Sequence, residues 1–148
     1  MTRQEILNHK DFKFSATELV CKHAYERFGE KALEFLDVRL LETLLWIRQT
    51  LGKPMTINHK GANQRGLRCN LCPMVKGKTK AYLSAHVFGQ GVDFDVQGVK
   101  AAEVRDWLAE HADELPHKIR LEIGEHVTWV HLDVRNETSH KIVYFQAS

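Results

Sequence analysis

The feature of the sequence that most constrains the fold is an apolar stripe between Glu30 and Leu51. Its members recur every three or four residues, which is the period of one buried helix face, at Leu33, Leu36, Leu40, Leu44, Ile47 and Leu51. The stripe predicts a long helix over residues 30–51 with this face buried. Gly52 ends the helix, and Pro54 prevents it from resuming.

Helices are also predicted before and after this segment. Ser15 is placed to cap a short helix, and Glu18, three residues later, completes a capping box. That helix is expected to end around Phe28, which precedes a glycine. An amphipathic helix over residues 101–115 follows later in the chain and is stopped by Pro116.

Strand patterns dominate the rest of the chain. We predict five strands, at Met55–His59, Val92–Val96, Ile119–Ile123, Thr128–Val134 and Lys141–Phe145. Residues 60–80 carry many basic residues and little periodicity, so they predict a long loop, which in a compact domain is often functional. The expected fold is α+β, with N-terminal helices packed on a small, mainly antiparallel sheet in one domain over residues 1–148.

Composition excludes several classes of function. The net charge is only +2 and no Lys/Arg run stands out, so we expect no nucleic-acid partner. A third interpretation, after the two given at the end of this section, is a nucleic-acid-binding protein that uses the basic loop 60–80 and the cysteines. No apolar stretch is long enough to span a bilayer, so no membrane partner is expected. The polar N-terminus and the three cysteines favour synthesis and residence in a reducing cytosol.

Two histidines and one aspartate form a candidate metal site. His86 and Asp93 are separated by a segment with two glycines, which lets the chain curl and bring both side chains to one point. His131 lies on a later predicted strand, where alternation places it on the same face as Asp133. Two histidines and one carboxylate match a catalytic zinc site with one open position. The alternative is that these histidines are ordinary surface or capping residues.

The same residues resemble the first zinc motif of the D-alanyl-D-alanine metallopeptidases, a superfamily that includes phage endolysin peptidases and the hedgehog signalling domain. The matching pattern is Ser84-x-His86-x-x-Gly89-x-Gly91-x-Asp93, in which Gly91 replaces the family's usual alanine. Trp129-Val130-His131 resembles the second motif, and the opening from Phe12 to Cys21 resembles that of phage and bacterial members. The resemblance covers about residues 12–135. It implies that His86, Asp93 and His131 bind Zn²⁺.

The resemblance leaves the general base open. Many members place a glutamate three residues before the last histidine, where this chain has Thr128, and others place a histidine where it has Trp129. Hedgehog-like members place the glutamate six residues before, which corresponds to Glu125. Asp133, on the face of His131, is the second candidate. A carboxylate near the metal can accept a proton from water.

Substrate-binding arginines are expected in the loop before the first motif. Family members hold substrate carboxylate or carbonyl groups with an arginine from this region, and the candidates here are Arg65 and Arg68. The guanidinium group matches a carboxylate with two parallel hydrogen bonds. The family's usual Ser-Gly-Tyr-Arg sequence is absent, so both residues can equally be solvated loop arginines.

The cysteines support two interpretations. Cys69 and Cys72 form a C-x-x-C pair, and Cys21 and His23 lie upstream, so the four can build a structural zinc site with Cys3His ligation. A single C-x-x-C pair without a second one is also compatible with free thiols, and this second interpretation is the one that we expect from sequence.

The predicted function is that of a zinc metallopeptidase acting on peptidoglycan peptides, as a D-Ala-type carboxypeptidase or a cross-link endopeptidase of phage origin. The alternative is a non-catalytic zinc-binding interaction module of hedgehog-like fold, which Thr128 favours because it replaces the common glutamate. We expect synthesis in the cytoplasm and action at the cell wall if phage lysis releases the protein. The sequence leaves the oligomeric state open.

Overall fold

The chain folds as an α+β structure in the computed structural model, which describes residues 1–147. Six α-helices occur within this range: α1 Arg3–Leu7, α2 Ala16–Leu19, α3 Lys22–Phe28, α4 Val38–Leu51, α5 Pro73–Lys76 and α6 Ala101–Glu110. There are also two 3₁₀ segments, Gly29–Phe35 between α3 and α4 and Ala112–Glu114 after α6. No helix in the described range is both long and apolar enough to cross a membrane.

Five strands form one mixed sheet: β1 Met55–Thr56, β2 Gly91–Val96, β3 Ile119–Glu122, β4 Val130–Asp133 and β5 Ile142–Phe145. Their order in the sheet is β1-β2-β4-β3-β5. The first three pairings in this order are antiparallel, as predicted, and the outer β3–β5 pairing is parallel. The prediction of a mainly antiparallel sheet therefore holds except at the edge that β5 occupies. Each predicted strand is present, but each is shorter than the sequence pattern indicated, apart from β2.

The two faces of the sheet have different chemistry. Alternate residues of β2, β3 and β4 join one apolar core with the helices, and that cluster includes Val92, Phe94, Leu121, Val130 and Leu132 together with Leu40 and Leu44 of α4 and Leu108 of α6. The residues between them on the same strands are polar: Asp93, Arg120, Glu122, His131 and Asp133. Because side chains along a strand alternate between the two faces of the sheet, burial of the apolar residues on one face places these polar residues on the other.

The predicted helix over residues 30–51 is interrupted. Residues Gly29–Phe35 are 3₁₀, Leu36 is extended, and α4 begins only after Asp37. The Asp37 carboxylate accepts a hydrogen bond of 2.9 Å from the backbone N–H of Arg39, so Asp37 is an N-cap inside the predicted helix. Asp37 also donates its own N–H to the carbonyl of Gly89, at 2.8 Å, which ties this break to the loop that carries His86.

The predicted helix from Ser15 is also divided, at Val20. Val20 is extended and forms a parallel bridge with Leu67 of the long loop, so tertiary pairing overrides the helical tendency there. Ser15 makes no capping hydrogen bond from its side chain, and Glu18 instead accepts the backbone N–H of Ile57 at 3.2 Å. The capping box predicted at Ser15 is therefore wrong. Helix α1, which the sequence analysis missed, has a complete capping box of Thr2 with Glu5.

Candidate metal centre

His86, Asp93 and His131 converge on one point, as predicted from their spacing. Asp93 and His131 are directly opposite each other in the β2–β4 pairing, and His86 comes from the turn before β2. Asp93 Oδ1 lies 2.8 Å from His131 Nδ1 and 3.2 Å from His86 Nε2. A tetrahedral zinc ion with bonds of about 2.0–2.1 Å separates its ligand atoms by about 3.3 Å. The ligand atoms of the three residues lie within 4.8 Å of one another, close enough for one ion to contact all of them after small shifts, and all three residues are buried.

Each histidine is oriented by a hydrogen bond at its other ring nitrogen. Nδ1 of His86 lies 2.9 Å from the carbonyl oxygen of Gly66, so it is the protonated nitrogen and Nε2 is left free to bind a metal. Nε2 of His131 lies 2.8 Å from Oδ2 of Asp133, which leaves Nδ1 as the free atom. Fixing the tautomer of a metal-binding histidine in this way is the usual role of its outer partners.

Asp133 supports His131 and also binds a guanidinium group. The side chain of Asp133 is fully buried. Its Oδ1 accepts hydrogen bonds from Arg120 Nε at 2.8 Å and from the backbone N–H of Arg135 at 3.0 Å. Its Oδ2 accepts hydrogen bonds from Arg120 Nη2 at 2.9 Å and from His131 Nε2. Both oxygens are thus occupied by donors. This arrangement makes Asp133 a positioning residue for His131 and a poor acceptor for a further proton.

The site is electrostatically arranged for a cation. Burial raises the pKa of Asp93, but the hydrogen-bonded imidazoles of His131 and His86 outweigh this and hold the pKa well below its usual range. Burial lowers the pKa of His131, whereas Asp133 and Asp93 outweigh this and raise it to about 9. The site therefore favours a positive charge between Asp93 and His131, and a metal ion bound there would supply that charge in place of a proton on His131.

A cavity of about 440 Å³ opens onto these three residues. Aromatic and basic side chains share its walls with two acidic residues, Asp93 and Glu122: Arg68, Tyr82, His86, Arg120, Trp129, His131, Arg135 and Phe145. The guanidinium group of Arg120 lies 4.3 Å from the centre of the Phe145 ring, and that ring is edge-on to His131. The cavity can receive a negatively charged group beside the metal-binding atoms.

Of the two predicted substrate-binding arginines, only Arg68 lines this cavity. Arg68 is buried. Its Nε donates to the Gln64 carbonyl at 2.6 Å and its Nη1 to the Tyr82 hydroxyl at 2.9 Å. Its Nη2 lies 3.5 Å from Asp93 Oδ2. Arg65 turns its guanidinium to Asp95, at 2.9 Å. The backbone of Arg65 contributes nevertheless, because its carbonyl accepts the N–H of Asp93 at 2.7 Å.

The structure separates the predicted base Glu125 from the cavity at the metal-binding atoms. Glu125 is exposed in the turn between β3 and β4 and lines a neighbouring groove of about 390 Å³. Glu122, which sequence reasoning missed, lines both the cavity and this groove. In the β3–β4 pairing Arg120 is opposite Asp133, and continuing this register by two residues places Glu122 opposite His131. The alternation of Arg120 and Glu122 in β3 was the signal that could have identified Glu122.

A second cluster of metal-binding side chains lies elsewhere in the molecule. Cys21, His23, Cys69 and Cys72 come together so that one ligand atom from each lies within 4.8 Å of the others, and this group could bind a metal ion. Cys21 and Cys72 are buried, and burial raises the pKa of the Cys72 thiol to about 12.

Comparisons of the chain with protein-family models, with curated proteins and with solved structures gave no significant match.

Proposed function

We propose that this protein is a zinc-dependent peptidase that hydrolyses peptides of peptidoglycan. The observation that carries the proposal is the convergence of His86 Nε2, Asp93 Oδ1 and His131 Nδ1 at the floor of a cavity, with each histidine oriented by a separate acceptor. Three protein ligands with an open side match a catalytic zinc site and differ from the closed four-ligand shell of a structural site. The substrate class rests on the resemblance of the two motifs to the D-alanyl-D-alanine metallopeptidases.

The residues around the cavity provide the remaining functions that peptide hydrolysis requires. A zinc ion held by the three ligands would act as a Lewis acid and lower the pKa of a water molecule. Glu122, opposite His131 in the register, is our candidate to accept the proton of the attacking water on its carboxylate and to return it to the leaving amine. Glu125 and Asp133 remain the alternatives that the sequence predicted.

Positive charge around the cavity favours a substrate with a carboxylate. Arg68, Arg120 and Arg135 line the cavity, while Asp133 neutralises Arg120 in part. Arg68 is held by Gln64 and Tyr82, so its guanidinium is fixed before a substrate arrives. A peptide that ends in D-alanine presents such a carboxylate one residue from the bond to be cut. This match favours the carboxypeptidase form of the activity.

The test is hydrolysis of purified peptidoglycan and of a stem pentapeptide by the zinc-loaded full chain, with the products identified by mass spectrometry. We expect Glu122→Gln to lower turnover by about 10²–10⁴-fold, the usual contribution of a positioned base, with zinc content unchanged. Glu125→Gln is the matched control, since its side chain is exposed outside the cavity. A fully active Glu122→Gln variant beside an inactive Glu125→Gln variant would return the role of base to Glu125.

Binding without hydrolysis is the outcome that supports the alternative function. If the zinc-loaded protein co-sediments with peptidoglycan but releases no peptide or D-alanine, the non-catalytic module is the better description. If it neither binds nor cuts wall material, the proposed substrate class is wrong, whatever its metal content.

A further inference from the structure

The cluster of Cys21, His23, Cys69 and Cys72 joins two parts of the chain that are far apart in sequence. Cys21 and His23 lie at the beginning of α3, whereas Cys69 and Cys72 lie in the long loop before α5. His23 Nδ1 is 3.6 Å from Cys69 Sγ and 3.8 Å from Cys72 Sγ. All four ligand atoms lie within 4.8 Å of one another, so one ion can contact all of them.

These separations fit a tetrahedral zinc ion. With zinc–sulfur bonds of about 2.3 Å and zinc–nitrogen bonds of about 2.0 Å, sulfur and nitrogen ligands stand about 3.5 Å apart and two sulfurs about 3.8 Å apart. Two sulfurs also accept backbone N–H groups: Cys72 Sγ from Cys69 at 3.4 Å and Cys69 Sγ from Leu71 at 3.3 Å. Such donors stabilise thiolates, the form that binds metal.

We propose that Cys21, His23, Cys69 and Cys72 bind a second zinc ion with a structural role. Four protein ligands close the coordination shell, and zinc with thiolate and imidazole ligands in a Cys3His set is a common structural combination. This differs from the free thiols expected from the sequence, because the spacing of one C-x-x-C pair could not show that Cys21 and His23 lie beside it. The site is separate from the three-ligand centre, and the proposal does not depend on whether the protein is a peptidase.

The second zinc would hold the loop that supports the first site. Around Cys69 the loop is tied to the helical part by two hydrogen bonds, from Cys21 N–H to the Leu67 carbonyl at 3.0 Å and from Leu67 N–H to the Leu19 carbonyl at 2.9 Å. The same loop contains Gly66, whose carbonyl orients His86, and Arg68, whose backbone N–H donates to the His86 carbonyl at 3.1 Å. A metal link next to these residues would therefore keep the ligand His86 in place.

Metal content of the full chain tests the proposal. The wild type should hold two zinc ions per chain, and both a His86→Ala/His131→Ala variant and a Cys69→Ser/Cys72→Ser variant should hold one. Cobalt(II) in place of zinc distinguishes the sites, because only thiolate ligands give a sulfur-to-cobalt charge-transfer band. That band should persist in the histidine variant and disappear in the cysteine variant. His140→Ala is the control, since His140 is exposed and outside both clusters.

A chemical titration keeps the proposal testable if the cysteine variant does not fold. In the His86→Ala/His131→Ala protein, modification of the three thiols with a mercurial reagent should release one zinc ion per chain, detected with a colorimetric chelator. Modification without metal release, or a Cys69–Cys72 disulfide in protein purified under reducing conditions, would overturn the proposal. A charge-transfer band that is lost with the histidines and kept with the serines would overturn it as well.

Discussion

Substitution of Asp133 by asparagine tests how His131 is prepared to bind a metal. The Asp133 carboxylate accepts four hydrogen bonds, two at each oxygen. Asparagine keeps the shape but replaces one oxygen with an NH₂ donor, so that atom can no longer accept either of its two hydrogen bonds. If the NH₂ faces His131, Nε2 must become an acceptor and the proton moves to Nδ1, which can then no longer bind the metal.

The expected magnitude follows from the partners of Asp133. Hydrogen bonds to charged groups contribute about 1.5–3 kcal/mol each, so two lost bonds give a range of about 3–6 kcal/mol. The Arg120 side chain is 28% exposed, so water replaces part of its loss, and we expect the metal-free variant to lose about 2–4 kcal/mol in its free energy of unfolding. Zinc affinity at the His86/Asp93/His131 site should fall by about 10–100-fold, as when other outer partners of metal-binding histidines are changed.

The assay is competition for zinc with a chromophoric chelator, together with urea unfolding of the metal-free protein. It is made in the otherwise unchanged chain, and a parallel titration of the His86→Ala/His131→Ala variant gives the contribution of the cysteine cluster, which is subtracted. Asp95→Asn is the matched control, because the Asp95 side chain is 53% exposed and water screens its pairing with Arg65; we expect a change of about 0–1 kcal/mol. Unchanged zinc affinity in Asp133→Asn would refute the inference that Asp133 orients His131.

Two further predictions follow from buried polar groups. Arg68→Lys keeps the charge but cannot reproduce the guanidinium contacts, so kcat/KM should fall at least about tenfold while zinc is retained. The control Arg65→Lys should leave kcat/KM unchanged. If the two substitutions have equal effects, Arg68 has no special role. Burial raises the pKa of Glu18, and the N–H donated by Ile57 only partly offsets this. Because the folded-state pKa lies above the unfolded one, the charge of Glu18 costs stability at neutral pH. Glu18→Gln should therefore increase the free energy of unfolding at neutral pH. Urea titrations should show that this gain in stability vanishes at pH values below the ordinary carboxyl pKa. A lower free energy of unfolding at neutral pH would contradict the argument.

The ligands of the candidate metal centre were predictable because their positions depend on local chain geometry. Gly89 has a φ of +69°, and a Cβ there would collide with the carbonyl oxygen of Phe35, so the turn that presents His86 requires glycine at this point. Strand alternation in β2 and β4 then places Asp93 and His131 on one face. Alternation fixes only the face of each strand; that β2 and β4 bring Asp93 and His131 together was implied by the resemblance to the zinc peptidase motifs.

The outer partners were not predictable, because each comes from a distant segment. The carbonyl of Gly66 reaches His86 only because the loop pairs with the extended residue Val20, and that pairing also divides the predicted helix after Ser15. The sequence pattern around Val20 is compatible with a helix and contains no sign of a bridge to Leu67. The metal-binding cluster of cysteines follows from the same pairing, since Cys21 is next to Val20 and Cys69 is two residues after Leu67.

The cross-strand register assigns different roles to three acidic residues that look alike in the sequence. Asp93 is opposite His131 and also contacts His86, so its Oδ1 is the candidate ligand atom. Asp133 is opposite Arg120, and that pairing together with His131 occupies both of its oxygens, so we expect it to position His131 and not to exchange protons. If the same register is continued, Glu122 lies opposite His131, and it lines the cavity wall; for these reasons we propose it, and not Asp133, as the base. A shift of the β3–β4 pairing by one residue would exchange the faces of Arg120 and Leu121 and abolish all of these roles together.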